Sequence, residues 1–334
     1  MLTTHQLHMT CEAEAAVRFH EAKGVDIRGA LFAALRGSDH PRASWQGFCA
    51  NKAASHCSQC PVNAVCPVMK LVSTLDERGT FGRDAPRPYV INPPLGQRTD
   101  YAPGEQFAFD LLLVGEAAQL FPYVVLALDR LAHEGIGAKL EREYDHRWRR
   151  GTARMVQIDA VNPLTGETAP VLRPGDRMVQ VPSLPVTHDD VLEEVGRLPA
   201  SGPLTFEFLT PLRLVDRGQL VRAPQFRPLM HRLAERIKSL VENFTEDTVP
   251  YEVRDLRDMA EGVTLIEDRT HWVDMSGYSG RLGRSQEIGG LVGRATYRAE
   301  DWTPFLPWLV WGTLLHAGKN AVKGDGWYRL TQQA

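Results

Sequence analysis

The most regular pattern in the chain is a stripe of apolar residues between positions 226 and 244. These residues recur at intervals of three and four, which is the spacing of one face of an α-helix. They are Phe226, Leu229, Met230, Leu233, Ile237, Leu240, Val241 and Phe244. The pattern predicts an amphipathic helix that follows Pro224. The preceding stretch "PLTFEFLTPLRLV" (203–215) is rich in aromatic and β-branched residues and predicts a strand.

The rest of the C-terminal part continues the alternation of strands and helices. Two strand-like runs, "RTHWVDMSGYS" (269–279) and "EIGGLVGRATYRA" (287–299), flank the glycine-rich turn "GRLGR". The stretch "TPFLPWLVWGTLLH" (303–316) is apolar on almost every side and predicts a buried helix. A last strand, "GWYRL", gives the predicted order strand, helix, strand, strand, helix, strand.

The N-terminal half shows the same order, with an insertion between its first helix and its second strand. The six predicted segments are 5–14, 26–37, 87–95, 105–115, 118–135 and 151–161. Two βαββαβ units in one chain predict an α+β protein with tandem ferredoxin-like (RRM-like) domains and a cysteine-rich knuckle inserted in the first. We place the domains at 1–180, with the insertion at 45–85, and at 203–334, on either side of a proline-rich linker.

Composition narrows the class of protein. Of the 334 residues 43% are apolar, which is enough for a buried core. The first ten residues hold no apolar signal region, and the longest apolar stretch is too short to span a membrane. We therefore expect a cytoplasmic protein with no membrane partner. The net charge is −3, but the stretch 211–238 is basic, with seven Arg or Lys residues and two acidic residues. Such a local excess of positive charge favours binding of a polyanion.

Four of the five cysteines lie within eighteen residues of each other. Cys49, Cys57, Cys60 and Cys66 have the spacing C-x7-C-x2-C-x5-C. This spacing predicts a structural Zn²⁺ ion held by four thiolates. An iron–sulfur cluster, four free thiols, and replacement of one cysteine by His56 are the alternatives. Cys11 lies far from the others in sequence, and we interpret it as a core residue.

The segment "HAGKNAVKGDGWYRL" (316–330) combines three glycines with two lysines. It is not a nucleotide-binding P-loop, because Lys319 follows the first glycine of the segment, whereas the P-loop lysine follows the second, and because Asn320 stands where that motif has Ser or Thr. It also follows the C-terminal end of a predicted helix, where the helix dipole disfavours anions. On its own the segment predicts a glycine-containing turn with two solvated lysines.

Four segments of the chain together resemble a known family. They are "PRPYVINPPL", "TPLRLVDRGQLVRAPQFRPLMHRLAERI", "GYSGRLGRSQEIGGLVG" and "FLPWLVWGTLLHAGKNAVKGDGWYRL". The combination resembles the CRISPR RNA-processing endoribonuclease, the sixth CRISPR-associated (Cas) family, of the RAMP (repeat-associated mysterious protein) superfamily. The resemblance implies two ferredoxin-like domains that bind the repeat portion of a CRISPR transcript.

The resemblance also implies a cleavage reaction that requires no metal or other cofactor. The 2′-hydroxyl attacks the neighbouring phosphorus and leaves a 2′,3′-cyclic phosphate and a 5′-hydroxyl. Such a reaction needs a base and an acid, and histidine suits both roles. In the resembled family a catalytic histidine often follows the first helix. His40 is therefore the first candidate, and His20, just before that helix, is the second.

In the resembled family the glycine-rich loop lies close to RNA phosphates. The resemblance therefore predicts RNA contacts at Gly318, Lys319, Lys323, Gly324 and Gly326. Asp325 departs from this picture, because it places a negative charge where phosphate is expected.

Four further residues near these motifs have predicted roles. Arg281 and Arg284, in the "GRLGR" turn, are candidates for phosphate contact. Trp308 and Trp311 lie inside an apolar helix, and we interpret them as core residues rather than platforms for RNA bases.

Two other functions remain open at this point. The second hypothesis is a non-catalytic RAMP subunit that binds the processed RNA together with other subunits of a CRISPR effector complex. The third is a zinc-knuckle RNA-binding protein outside CRISPR systems. The predicted partner in the first two cases is CRISPR RNA.

Overall fold

The computed structural model describes residues 2–38, 45–54, 57–72, 86–141, 146, 148–249, 252–279 and 284–332. The chain forms two compact units. The first unit is Thr4–Pro185, and the second is Val186–Ala334 together with Met1–Thr3. His40 and Arg281 lie outside the described residues, as do residues 73–85 of the predicted insertion.

The first unit is built on a sheet that carries helices. Its strands are β1 (Thr4–Ala13), β2 (Val17–Arg18), β3 (Tyr89–Asn92), β4 (Asp100–Tyr101), β5 (Gln106–Val114), β6 (Ile136–Glu141), β7 (Trp148–Gly151), β8 (Ala153–Asn162) and β9 (Glu167–Leu172), and β10 (Pro185–Val186) lies at the division. Its helices are α1 (Lys23–Arg36), α2 (Pro67–Val72), α3 (Phe121–Asp129) and α4 (Leu131–Glu134). Strands β3-β5-β1-β8-β9 are neighbours in this order, and each neighbouring pair is antiparallel. The predicted order of strands and helices is therefore present, with β9 added after it.

Alternation along β1 separates the two faces of this sheet. Leu7, Met9 and Cys11 are fully buried, and each pairs with a buried apolar residue of β5. His8 and Thr10 lie between them and point to the opposite face, because successive side chains of a strand alternate. The prediction that Cys11 is a core residue is confirmed.

The second unit contains a four-stranded sheet and its helices. Its strands are β11 (Gly202–Leu212), β12 (Leu214–Asp216), β13 (Gln219–Val221), β14 (Thr264–Val273), β15 (Ser276–Ser279), β16 (Arg284–Glu287), β17 (Gly290–Ala299) and β18 (Tyr328–Thr331). Its helices are α5 (His188–Val195), α6 (Phe226–Phe244), α7 (Val253–Met259) and α8 (Leu306–Leu315). The main sheet has the order β14-β17-β11-β18. The described part of the chain thus has a mixed α+β fold.

The helices of the second unit follow the sequence pattern closely. The apolar stripe of α6 is buried, as predicted, from Phe226 to Val241, and Phe244 at the end of the helix is half-buried. Helix α8 begins at Leu306, three residues later than predicted, because the chain first makes a turn. Trp308 and Trp311 are 7% and 4% exposed, so their assignment to the core is confirmed. Among the described residues no helix is long and apolar enough to cross a membrane.

Candidate functional site

His20 stands immediately before α1 and is held by a carboxylate. Its backbone N–H donates to Asp26 Oδ2 at 2.7 Å, and its ring Nδ1 lies 2.8 Å from Asp26 Oδ1. The imidazole is 63% exposed, whereas the carboxylate is 11% exposed. With Nδ1 held by the carboxylate, Nε2 is the ring nitrogen that can exchange a proton with a ligand. This is the form of an oriented acid or base, and the catalytic role of His20 stays a prediction.

The N-terminal end of α1 is fixed to a neighbouring loop by a buried lysine. The Lys23 ammonium donates to the carbonyl oxygens of Pro94 and Gly96, at 3.1 and 2.7 Å. Burial lowers the pKa of Lys23. Because Asp26 lies in the first turn of the same helix, these bonds also hold the carboxylate that orients His20.

The stretch that contains His40 is anchored at the other end of α1. Residues 37 and 47 are in contact, since a Cβ built on Gly37 would overlap the backbone of Gly47. The Phe48 N–H donates to the Leu35 carbonyl at 2.8 Å. The chain around His40 therefore leaves and returns at the C-terminal end of α1.

Aromatic side chains pack against this anchor. The Trp45 indole N–H donates to the Ala34 carbonyl at 2.6 Å, and its ring meets the Phe48 ring edge-on with centroids 5.2 Å apart. The Arg130 guanidinium lies 4.6 Å from the centre of the Trp45 ring. A helix of this length spans about 20 Å, so His20 lies at the opposite end of α1 from the anchor. The structure does not bring His20 and the base of the His40 stretch together.

A second histidine–carboxylate pair lies on the polar face of the first sheet, and the sequence did not reveal it. His8 Nδ1 is 2.6 Å from Asp110 Oδ1, across the β1–β5 pairing. The hydrogen bond that His8 donates to the Asp110 carboxylate raises the pKa of His8, and burial opposes this effect. Asn92 donates to the other oxygen of Asp110 at 3.4 Å. The alternation of β1 indicated that His8 faces away from the core, but its partner lies 102 residues away in sequence.

The glycine-rich loop of the second unit is shaped by its own packing. Gly318 has φ +80°, and a Cβ there would lie 2.5 Å from the carbonyl oxygen of Arg213. Gly326 has φ +72°, and a Cβ there would overlap the carbonyl oxygen of Ala317. The protein's own backbone therefore requires both glycines. Close approach of RNA is not needed to explain either glycine.

The two lysines of this loop differ in their surroundings. Lys319 is exposed, and its backbone N–H donates to Arg213 O at 2.9 Å. Lys323 is half-buried, and its ammonium lies 3.3 Å from the side-chain oxygen of Asn320. Gly324 follows with a left-handed backbone, and its carbonyl accepts a hydrogen bond from Thr210 Oγ1 at 2.7 Å. Contacts of this loop with RNA stay a prediction.

Asp325 does not present a negative charge at the surface of this loop. It is 7% exposed, and burial raises its pKa from 3.8 to about 8. The carboxyl group is therefore mainly protonated at neutral pH. The repulsion of phosphate that the sequence suggested at this position is accordingly weak.

Burial prevents His316 from exchanging a proton with a ligand. It has no exposed surface, and its ring stacks on Trp327 with centroids 5.7 Å apart. Burial, aided by the positive charge of Arg236, lowers its pKa to about 3. The residue is a neutral part of the core at the end of α8.

The arginine hairpin is present as a pair of short strands. β15 and β16 are antiparallel, with Ser279 opposite Arg284. The Arg284 side chain is exposed at the start of β16, where it is able to meet a ligand. Arg281 lies outside the described residues, and both arginines stay predicted phosphate contacts.

The four cysteines at 49–66 surround one cavity of the first unit. The cavity has a volume of about 210 Å³, and its lining includes Phe32 and Arg36 of α1. The lining cysteines are Cys49, Cys57, Cys60 and Cys66. Within the described residues, no group of three or more His, Cys, Asp or Glu side chains is arranged to hold one metal ion. The predicted zinc site therefore stays a prediction.

Two family models match the chain. Residues 2–184 match a model described as an N-terminal domain (AF_1859_N). Residues 206–328 match the model of the CRISPR-associated endoribonuclease Cas6. No curated protein matches the chain.

Solved structures show the same fold at low sequence identity. A partial Cas6-RT-Cas1–Cas2 complex is 13% identical with a TM-score of 0.57; the match covers 100% of this chain and 46% of that chain. This chain thus spans less than half of the length of that relative. A Cas6 product complex is 16% identical with a TM-score of 0.53, over 98% of this chain and 100% of that chain. Thermus thermophilus Cas6 is 13% identical with a TM-score of 0.52, over 99% of each chain.

Proposed function

We propose that the chain, whose residues 206–328 match the model of the CRISPR-associated endoribonuclease Cas6, belongs to that family, binds CRISPR repeat RNA and cleaves precursor CRISPR RNA. The family match is the observation that carries this proposal. The likeness to Cas6 structures over 98% or more of the chain adds the fold. In this proposal each unit is a ferredoxin-like domain, the protein acts in the cytoplasm, and subunits of a CRISPR effector complex are further partners.

The proposed reaction is attack by the 2′-hydroxyl of the RNA on the adjacent phosphorus. The products are a 2′,3′-cyclic phosphate and a 5′-hydroxyl, and no metal ion takes part. The chain would supply a base for the 2′-hydroxyl and an acid for the leaving 5′-oxygen. His40 is the first candidate. His20 is the second, and its contact with Asp26 supports it because a carboxylate on Nδ1 fixes the tautomer that exchanges a proton at Nε2.

The proposed RNA contacts lie in the second unit. Lys319 is exposed and free to pair with a phosphate, and the protonated Asp325 next to Gly324 and Gly326 does not oppose this. Arg284 offers a second cation on the hairpin of β15 and β16. Such contacts position the RNA and do not read its sequence.

The experiment is incubation of the purified chain with end-labelled repeat RNA in EDTA, followed by mapping of both product ends. We expect one cut, a cyclic phosphate that resists phosphatase until acid opens it, and a 5′-hydroxyl that a kinase can label. An RNA with a single 2′-deoxy substitution at the mapped position is the matched control and should stay intact. Cleavage of that control would refute attack by the 2′-hydroxyl. Tight binding without cleavage would support the non-catalytic RAMP subunit.

A further inference from the structure

The cysteine segment lacks a hydrophobic core of its own. Among residues 49–54, 57 and 59–66 none is buried, and Val62 and Val65 are 39% and 76% exposed. Only short 3₁₀ turns, Cys57–Gln59 and Asn63–Val65, give it regular structure. A segment that buries so little apolar surface needs another source of stability.

Backbone hydrogen bonds nevertheless hold three of the thiols in a defined arrangement. The Cys60 N–H donates to the Cys57 carbonyl at 3.1 Å, and the Cys66 N–H donates to the Asn63 carbonyl at 3.2 Å. The Cys66 carbonyl then accepts from Lys70 at 3.0 Å, which joins the last cysteine to α2. Cysteines up to seventeen positions apart in sequence, Cys49 and Cys66, line the same cavity.

The four thiols surround a volume and do not meet at a point. A tetrahedral zinc ion holds each sulfur at about 2.3 Å, so its four sulfurs lie about 3.8 Å from one another. No three of the described His, Cys, Asp and Glu side chains have an arrangement of that kind. The cysteines instead line a cavity of about 210 Å³. A cluster of several metal ions fills the space between its four thiolates, whereas a single ion draws them together.

We propose that Cys49, Cys57, Cys60 and Cys66 bind one iron–sulfur cluster in the cavity that they line. Arg36 and Lys52 line the same cavity and offset part of the negative charge of four thiolates. Two of the ligands, Cys60 and Cys66, are followed by proline, as is the last cysteine of bacterial ferredoxin motifs. Transfer of a preformed cluster from a thiolate donor replaces the four Fe–S bonds to the donor with four Fe–S bonds to the cysteines, and the donor thiolates take up the four cysteine protons and leave as thiols. The oxidation state of the cysteines does not change.

The position of the cluster links it to the His40 stretch. Cys49 directly follows Phe48, whose backbone is bonded to Leu35 and whose ring packs on Trp45. Phe32 and Arg36 of α1 form one wall of the cavity. The cluster would therefore hold the point at which the His40 stretch returns to α1. An effect of the cluster on the His40 stretch, and through it on RNA cleavage, rests on the proposed function. Binding of the cluster itself does not.

The test is the metal and sulfide content of the full chain, purified anaerobically and then reconstituted with iron and sulfide. We expect iron and acid-labile sulfide in nearly equal amounts, broad visible absorption, and an electron paramagnetic resonance signal after reduction with dithionite. Cys57→Ser and Cys60→Ser should each lose most of the iron and sulfide. Cys11→Ala, a buried cysteine of β1 outside the segment, is the matched control and should retain both.

Two results would overturn the proposal. One is a folded chain that binds zinc without sulfide, which would support the zinc ion predicted from the cysteine spacing. The other is a folded, metal-free chain in which all four thiols react with a thiol reagent. Circular dichroism of each variant separates loss of the cluster from loss of the fold. A chain that holds the cluster and does not cleave repeat RNA would refute only the proposed function.

Discussion

The burial of Asp325 leads to a prediction about pH and stability. In the folded chain burial raises the pKa of this carboxyl from 3.8 to about 8. As pH rises above 3.8 the unfolded chain ionises while the folded chain keeps the proton, so the free energy of unfolding falls until pH passes the folded pKa. The contribution of the protonated Asp325 carboxyl to stability is thus fully present at low pH and is lost as pH approaches 8.

The substitution Asp325→Asn removes this dependence and keeps the shape of the protonated acid. The loss in the native chain is about 1.4 kcal/mol per pH unit, so an upper limit of about 4 kcal/mol separates pH 5 from pH 8. We expect the free energy of unfolding of the variant, relative to that of the native chain, to rise by about 2 kcal/mol or more between pH 5 and pH 8. Ionisation of His316 is common to both proteins and largely cancels in the difference.

Urea unfolding of both full-length proteins at pH 5, 6.5 and 8 measures this difference. Asp189→Asn, which removes an exposed carboxylate from α5, is the matched control and should give a small difference that hardly changes with pH. If the Asp325 variant differs from the native chain by the same amount at every pH, the carboxyl is not protonated at neutral pH and the reasoning from burial fails.

Three further predictions concern His40, the lysines of the glycine-rich loop and the pair of His8 with Asp110. His40→Ala should slow single-turnover cleavage of repeat RNA about 10²-fold or more if His40 is the acid or base, and an unchanged rate would move that role to another residue. Replacing Lys319 and Lys323 with glutamine should reduce the slope of log affinity against log salt concentration. The expected reduction is about 0.7 for each phosphate of a single strand that a lysine no longer neutralises. A salt dependence identical to that of the native chain would leave the loop as a turn only. Asp110→Asn should lower the pKa of His8, measured by NMR titration, and an unshifted titration would show that the observed contact does not raise it.

Local patterns were sufficient to predict most of the elements. The stripe from Phe226 to Phe244 predicted α6 because its period matches one helix face. The start of α8 was misplaced because Thr303 and Pro304 resemble the first residues of a helix, whereas residues 303–305 form a turn and Pro307 lies in the first turn of α8. Residues 303–305, which form the turn before Leu306, are of the same kinds as residues within the helix.

The candidate site was less predictable, because its properties depend on contacts between distant segments. The pairing of His8 with Asp110 follows from the register of β1 and β5, which a single sequence does not reveal. The neutral state of Asp325 follows from its burial, whereas its place between two glycines suggested exposure. The cysteines were found from their spacing, but only the fold shows that they surround a cavity.

The contact of residue 37 with residue 47 bears on how this part of the chain can change in evolution. Since residues 37 and 47 are in contact, a segment of different length between them would still begin and end beside the C-terminal end of α1. Each doubling of such a segment costs only about 0.6 kcal/mol in closure entropy. The length of this segment is therefore free to change while the register of β1 with its neighbouring strands is kept.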